Sequence, residues 1–281
     1  YIRKFLRGDN GMVRHFASSI AGSLDLYGKP FRDPNRSINF ITCHDGFTLN
    51  DLVTYNTKHN EANGEGNRDG SNDNFSSNYG EEGPTENPTL EQIRLRQIKN
   101  FFTVLLLSQG TPMILMGDEV RRTQQGNNNT YCQDNEISWF DWDKVGENYQ
   151  LFDFVKNLIQ FRKDHSIFQM EKYWVDYDDS EPSIEWHGVR LNQPDWRHYS
   201  HSIAYTLHDK VHDCLFHFMV NAYWEPLTFE LPKNRANKKW YRTVDTWKPH
   251  PEDFHKNGKL LSKVDFYEVM ARSVVVLIEG N

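Results

Sequence analysis

Cysteine is scarce and poorly spaced for structural use. The three present, Cys43, Cys132 and Cys214, form no CxxC or CxxH pair. That excludes a disulfide framework and a zinc site, so no metal and no cofactor is expected, and it fits a reducing compartment. Runs of Lys or Arg are missing, and the net charge is −7. A polyanion would find no electrostatic hold, so nucleic acid is excluded as the expected partner. Long apolar runs are absent as well: "FFTVLLL" falls far short of the roughly 20 residues that a membrane helix needs. No membrane partner is expected. The first residues, "YIRKFLRGDNGM", show neither an initiator Met nor the charged-then-apolar pattern of a signal peptide. The chain is therefore expected to be a piece of something longer.

Aromatic residues are plentiful by contrast, at 14% of 281 residues with eight Trp, and Asn is abundant. That mixture suits flat sugar faces bordered by hydroxyls, and it equally suits an aromatic core. A chain of this length is expected to form two domains.

Hydrophobic spacing divides the chain near residue 166. From Asp9 to Tyr27 the apolar residues Met12, Val13, Phe16, Ile20, Leu24 and Leu26 recur at helical spacing. "GDNGM" offers a start and Gly22 a stop. After the turn "GKPFRDPNRS" comes "INFITC", apolar on both faces, which predicts a strand covered on both sides. "PTLEQIRLRQIKNFFTVLLLSQG" predicts a long helix with capping-box spacing at Thr89 and Gln92 and a stop at Gly110. It leads into a second two-face-apolar strand, "TPMILMGDE", where Met113 and Met116 are read as packing residues. A further helix is expected from about Glu147 to His165. Strands of this kind separated by amphipathic helices are βαβ units, so the sheet should be parallel. Beyond residue 166 the period changes to two, in "SIEWHGVRL", "SIAYTLHD", "DCLFHFMVNAYWEPLTFELP", "KWYRTVDTW" and "YEVMARSVVVLIEG". The expectation is α/β plus all-β: residues 1–165 with a parallel sheet, and residues 166–281 as an antiparallel β-sandwich.

Ligands of parallel α/β folds bind at the carboxyl ends of the strands. His44 and Asp45 close one such strand, and Asp118 with Glu119 the other. Segment 46–88 between them is far longer than an ordinary connection, as functional or mobile loops are. Its residues His59, Glu61, Asn67, Arg68 and Asp69 are candidates for the wall of a polar groove. Three chemistries use a His–Asp pair. A metal phosphohydrolase needs it on a helix, and a Ser-His-Asp relay needs a GxSxG elbow, which does not occur. Glycoside chemistry needs carboxylates around an oxocarbenium-like transition state and donors for sugar hydroxyls, which Asp45 and His44 can supply. The segment "DGSNDN" lacks the EF-hand Gly and Glu, so no calcium is expected there. Trp174, Trp186, Tyr223 and Trp224 are read either as sugar platforms or, with more weight, as packing residues.

The segments "INFITCHDGFTLNDLVTYNTKHNEANGEGNRDG", "LRQIKNFFTVLLLSQGTPMILMGDEVRRTQQGNNNTYCQDNEISWFDW" and "SIEWHGVRLNQPDW", with "FMVNAYWEPLTFELP" and "ARSVVVLI", resemble isoamylase-type glycogen and starch debranching enzymes of the α-amylase superfamily. The resemblance covers nearly the whole chain. It implies strands seven and eight of a (β/α)8 TIM barrel with helices six to eight, followed by the β-sandwich. It also implies hydrolysis of α-1,6 branch linkages in glycogen or amylopectin by a retaining mechanism. In that family the position of Asp45 stabilises the transition state and that of His44 binds the sugar at the cleavage subsite. The loop "NNNTYCQDN" lines donor-side subsites, so Asn129, Tyr131 and Asp134 are carried over as substrate contacts. For Asp134 an Asx turn is the competing role. Implied partners are a branched α-glucan and the N-terminal remainder of the enzyme, in bacterial cytoplasm or plastid stroma.

The departure from the family is as informative as the match. Its nucleophilic Asp lies in a "GFRFD"-like motif and its acid/base Glu in an "AEPWD"-like motif, and neither string occurs here. The chain alone is therefore expected to be inactive. A catalytically silent glucan-binding or regulatory subunit stays open as an alternative, as does an α-1,4 hydrolase or transglycosylase.

Overall fold

A computed structural model describes residues 1–28, 33–175, 182–263 and 265–280. Residues 29–32 of the expected "GKPFRDPNRS" turn lie outside them.

Three short helices open the chain: α1 (Ile2–Arg7), α2 (Val13–Ile20) and α3 (Leu24–Tyr27). Helix α2 buries Val13, Phe16, Ala17 and Ile20 on one stripe, as the spacing predicts. Leu24 and Leu26 do not join that stripe and stand 48% and 62% exposed. Gly22 and Ser23, both at positive φ, break the helical register before them. Helix α1 carries too few residues for its periodicity to be read from sequence.

Strand β1 (Ile38–Asn39) is followed by α4 (Leu49–Leu52), the long loop, α5 (Pro88–Leu106) and β2 (Thr111–Pro112). The two strands pair in parallel, Ile38 opposite Thr111 and Asn39 opposite Pro112. The expected two-face burial is not observed. Ile38 and Phe40 are 61% and 50% exposed while Ile41 and Thr42 are buried, and Met113 and Met116 are exposed rather than packed. With only two strands in this sheet, a single face is covered and the ladder ends after two residues.

Helix α5 starts two residues earlier than the capping-box reading. Asn87 accepts the Thr89 N–H at 3.0 Å, with Pro88 in the first turn. Its far end is closed from another helix. After α6 (Lys144–Glu147) comes α7 (Tyr149–Asp164). From α7, Arg162 donates to the carbonyls of Leu106, Ser108 and Gly110 at 2.7, 2.8 and 2.6 Å. The first is a carbonyl that the helix end leaves unpaired, and the other two belong to the turn that follows. Burial pushes this guanidinium down to about 10.

The second half is a layered β structure, as the period-two pattern predicts. Its strands are β3 (Ser183–His187), β4 (Ser202–Asp209), β5 (Cys214–Asn221), β6 (Leu227–Glu230), β7 (Lys239–Asp245), β8 (Phe254–Leu260), β9 (Phe266–Val269) and β10 (Ser273–Gly280). Six form an antiparallel sheet in the order β3-β4-β5-β10-β7-β8, and β6 pairs with β9. Strand β8 was not foreseen, because "FHKNGKL" is a polar edge strand.

Alternation along the strands sorts the two faces of the large sheet. Tyr205, Phe216, Phe218, Val274 and Val276 face the helices, while Ala204, Met219, Val275 and Leu277 pack with Phe229 and Val269 of the small sheet. The first core runs without a break across residue 166: Phe161 and Phe168 meet Phe216 edge-on at 6.0 and 5.4 Å. Trp174 joins it, as expected of a packing residue, whereas Trp224 is 55% exposed.

Polar bonds fasten α5 to the sheet. Lys99 and Asp253 form a buried ion pair at 2.5 Å. Arg96 donates to the Ala271 carbonyl, Asn100 donates to that of Arg272, and Thr246 donates to Asn100. Replacing Lys99 by Met strands the Asp253 charge and is expected to destabilise the chain by about 3–5 kcal/mol in urea unfolding. The double variant Lys99→Met, Asp253→Leu should recover most of that loss. Equal stabilities of parent and Lys99→Met would refute the buried pair.

Candidate functional site at the strand ends

His44 and Asp45 sit on a ledge. Thr42 on one side and Phe47 on the other are buried. The side chains of His44 and Asp45 are 88% and 83% exposed, with Nε2 and Oδ2 3.5 Å apart. Gly46 turns the chain at φ +96°, a conformation that glycine adopts without steric cost. Thr48 then caps α4 by accepting the Asp51 N–H at 3.2 Å.

Two buried carboxylates hold this ledge. Asp118, 2% exposed, accepts the Thr42 hydroxyl on one oxygen and the Leu49 N–H at 2.8 Å on the other. It thus closes the ends of the segment that carries His44 and Asp45. Burial pushes its pKa up to about 7, against the pull of those two bonds, with Glu119 and Asp51 adding to the rise. Asp51 accepts the Thr123 hydroxyl at 2.5 Å, the Gln124 N–H at 2.8 Å and the Gly126 N–H at 3.4 Å. Burial raises its pKa too. Sequence reading missed both as positioning groups. A Thr48-x-x-Asp51 capping pattern was there to find, but nothing in "GDE" shows that Asp118 turns inward.

The long loop is built, not loose. Asn60 and Asn128 face each other: the Asn60 side chain accepts the Asn128 N–H at 2.9 Å and donates to the Asn128 side chain at 2.9 Å. Asn128 also donates to Ser71 O and to Asn74. Lys58 donates to the carbonyls of Arg68, Asp69 and Gly70. A Cβ on Gly70 would lie 2.3 Å from Asn128 Oδ1, so only glycine fits there. At the returning end, fully buried Arg94 donates to the carbonyls of Asn78, Glu81 and Gly83.

The candidate wall residues take part in the same framework. Asn67 accepts the Asn60 N–H at 2.9 Å, and Arg68 Nε donates to the Glu65 carbonyl at 3.0 Å. Asp69 accepts from the side chains of Asn63 and Asn129 at 2.7 and 3.0 Å, bonds that hold its pKa below the usual carboxylate range. His59 lies 3.1 Å from Glu82, and Glu61 begins a single 3-10 turn.

Of the carried-over contacts, the structure ties the Asp45 turn to the second loop through Gly46 N–H on the Asn128 carbonyl at 3.0 Å. Asn129 follows directly, its amide committed to Asp69. Tyr131 is exposed and its hydroxyl donates to Glu65 at 2.5 Å. Asp134 accepts the Trp139 indole N–H at 3.0 Å.

Residues 185–277 match the family described as isoamylase 1-3, C-terminal. A glycogen operon protein GlgX homolog of Mycobacterium tuberculosis is 40% identical over 98% of this chain and 40% of its own length. Isoamylase SU1, chloroplastic, of Zea mays is 42% identical over 92% of the chain and 32% of its own length. Among solved structures, pullulanase from Bacillus acidopullulyticus superposes with a TM-score of 0.67 at 21% identity, covering 98% of this chain and 27% of that one. A short parallel strand pair joined to an antiparallel sandwich is thus the fold that this chain shares with that structure. Beyond the family match at residues 185–277, the chain as a whole is similar to isoamylases and GlgX proteins, and it spans about 40% or less of the length of these relatives.

The Asp118 clamp carries a pH signature. Its folded pKa of about 7 lies above the unfolded value of about 3.9, so folding binds the proton more tightly. Its stabilising contribution is full below about pH 4 and is lost as pH rises toward 7. Asp118→Asn keeps an acceptor for Leu49 and a partner for Thr42. The stability of the variant relative to the parent should therefore rise between pH 4 and 8 in urea titrations, whereas a pH-independent difference would show that Asp118 is not protonated in the fold.

Proposed function

We propose that this chain is the C-terminal segment of a debranching glycoside hydrolase that cleaves α-1,6 branch linkages of glycogen or amylopectin with retention. On this reading residues 1–165 form the last strands and helices of a (β/α)8 barrel, and residues 166–281 form its sandwich. Asp45 stabilises the cationic sugar and His44 holds its hydroxyls, with Asn129, Tyr131 and Asp134 along the donor side. The nucleophile and the acid/base come from the N-terminal remainder, so the chain by itself does not turn over substrate.

The observation that supports this reading most is the ledge. A solvent-facing carboxylate and imidazole stand on the turn a few residues beyond β1, held by a buried clamp and bonded to the loop that follows β2. Several relatives are named isoamylase or glycogen debranching enzyme, among them one from Pectobacterium atrosepticum that is 42% identical over 231 residues. A pullulanase of the same fold was solved with maltohexaose and α-cyclodextrin, which supports a glucan partner. The isoamylases of Zea mays and Arabidopsis thaliana are named chloroplastic, and the relatives from Mycobacterium tuberculosis and Pectobacterium atrosepticum are bacterial, in line with a plastid or cytoplasmic setting.

Reducing-end release from amylopectin by the full-length gene product measures the claim. Asp45→Ala should lower kcat by about 10²–10³-fold, the scale of losing one preorganised transition-state group. Undiminished turnover in that variant would defeat the assignment of Asp45.

A further inference from the structure

A row of hydrogen bonds crosses the sandwich core with its protons fixed in one direction. His187 of β3, Thr206 of β4 and His217 of β5 are buried on the face of the large sheet that Ala204 and Met219 turn toward the small one. The Asn192 N–H meets His187 Nδ1 at 2.9 Å. A backbone N–H can only donate, so Nδ1 is an acceptor and the proton of neutral His187 sits on Nε2. That nitrogen lies 2.9 Å from Thr206 Oγ1, which lies 2.9 Å from His217 Nδ1. The Thr206 oxygen accepts from His187, and its own proton goes to His217 Nδ1. The His217 proton is then on Nε2, which is enclosed and has no partner. The opposite assignment would leave two groups unpaired, the Thr206 hydroxyl proton and the Nε2 lone pair. Trp240, its ring centre 6.0 Å from that of His217, offers a π system that suits an N–H better than a lone pair.

The first bond of the row holds a turn, and the turn holds β6. Gly188 N–H donates to the Arg190 carbonyl at 3.1 Å, and Glu230 N–H of β6 donates to the Val189 carbonyl at 2.9 Å. Glu230 also accepts the Leu191 N–H at 3.0 Å. We propose that His187, Thr206 and His217 form an acid-sensitive latch, which keeps residues 188–192 folded against β6 while both rings are neutral and releases them when His187 takes a proton on Nδ1. The incoming proton occupies the lone pair that holds the Asn192 N–H, and it places a charge where no water solvates it. Burial pulls His187 down to about 4 and His217 well below the ordinary histidine value. Both folded values lie below the unfolded value of about 6.5. The latch therefore stabilises the fold in full above that pH and loses its contribution as pH falls toward 4. Other ionisable groups on the surrounding elements have their own partners or face solvent. His208 of β4 lies 3.9 Å from Asp213, Glu279 of β10 is paired with Arg235, and Arg242 of β7 and Tyr267 of β9 are bonded to Glu252 and Asp245. Glu185, Arg190 and Glu268 are exposed. Glu230 touches the same turn, so its titration has to be separated from that of His187.

Hydrogen exchange of the full-length gene product, read by mass spectrometry over residues 184–193 and corrected for intrinsic rates, tests the latch without requiring turnover. From pH 7.5 to 4.5 the local opening of this segment should rise by roughly 50-fold or more, the ratio given by a ring that titrates near 6.5 when open and near 4 when closed. Strand β10 should keep its protection over the same range. His187→Asn places an acceptor that does not titrate near the position of Nδ1, and its opening should stay constant with pH. Glu230→Gln should follow the parent. Ring-nitrogen spectra of the parent need no variant: at least two histidines should remain neutral at pH 5 with the proton on Nε2. A pH-independent segment in the parent, parental pH dependence in His187→Asn, its loss in Glu230→Gln, or no ring left neutral at pH 5 would each overturn the proposal.

Discussion

One buried carboxyl group governs the geometry at the strand ends. Asp118 takes a hydrogen bond from Thr42, before the His44–Asp45 turn, and another from Leu49, after it. Removing an acid from water costs several kcal/mol when it stays charged, and here the cost shows as a pKa displaced toward neutrality. In return, the Thr42 side chain and the Leu49 backbone N–H, on either side of an exposed turn, are fixed to one residue of the 3-10 turn that follows β2. Asp45 therefore needs no partner of its own for its position. Its carboxylate faces solvent, open to whatever develops positive charge there.

The same economy explains the asparagines. An irregular segment as long as 46–88 would leave many backbone donors and acceptors without partners, which a folded protein does not tolerate in its interior. Here side chains replace the missing ladder. Lys58 and Arg94 satisfy carbonyls in groups of three, while Asn60, Asn63 and Asn128 join the loop to residues 127–129. Abundant Asn in the sequence suited sugar hydroxyls. The structure assigns much of it to holding the loop.

What was legible in the sequence was what local periodicity encodes. Helices α5 and α7 and strand β4 emerge within a few residues of their expected bounds, because their patterns report faces covered by this chain itself, while the expected run 213–232 divides into β5 and β6. "INFITC" and "TPMILM" report burial on both faces, and the structure covers one, leaving Ile38, Phe40 and Met116 in solvent. Under the proposed reading, the other face belongs to strands encoded elsewhere in the parent. The chemistry of His44 and Asp45 was visible as a polar pair ending an apolar run. The clamp was not, since an inward and an outward Asp at a strand end look alike in sequence.

The sandwich has a mechanical part in this site. The polar side of α5, with Arg96, Lys99 and Asn100, is buried against the sheet through bonds to Ala271, Asp253 and Arg272. A helix so held cannot slide or rotate without breaking a buried ion pair. Its first turns carry Arg94, which ties down the returning long loop, and its last carbonyls are closed by Arg162. From the sheet to α5, from α5 to the loop, and through Asn60 and Asn128 to Gly46, the bonds form a continuous path to Asp45. Glucan chemistry at the ledge would require Asp45 to keep its place to within fractions of an ångström. Under the proposed reading, the sandwich therefore bears on activity by fixing the helix from which the rest of the site is suspended.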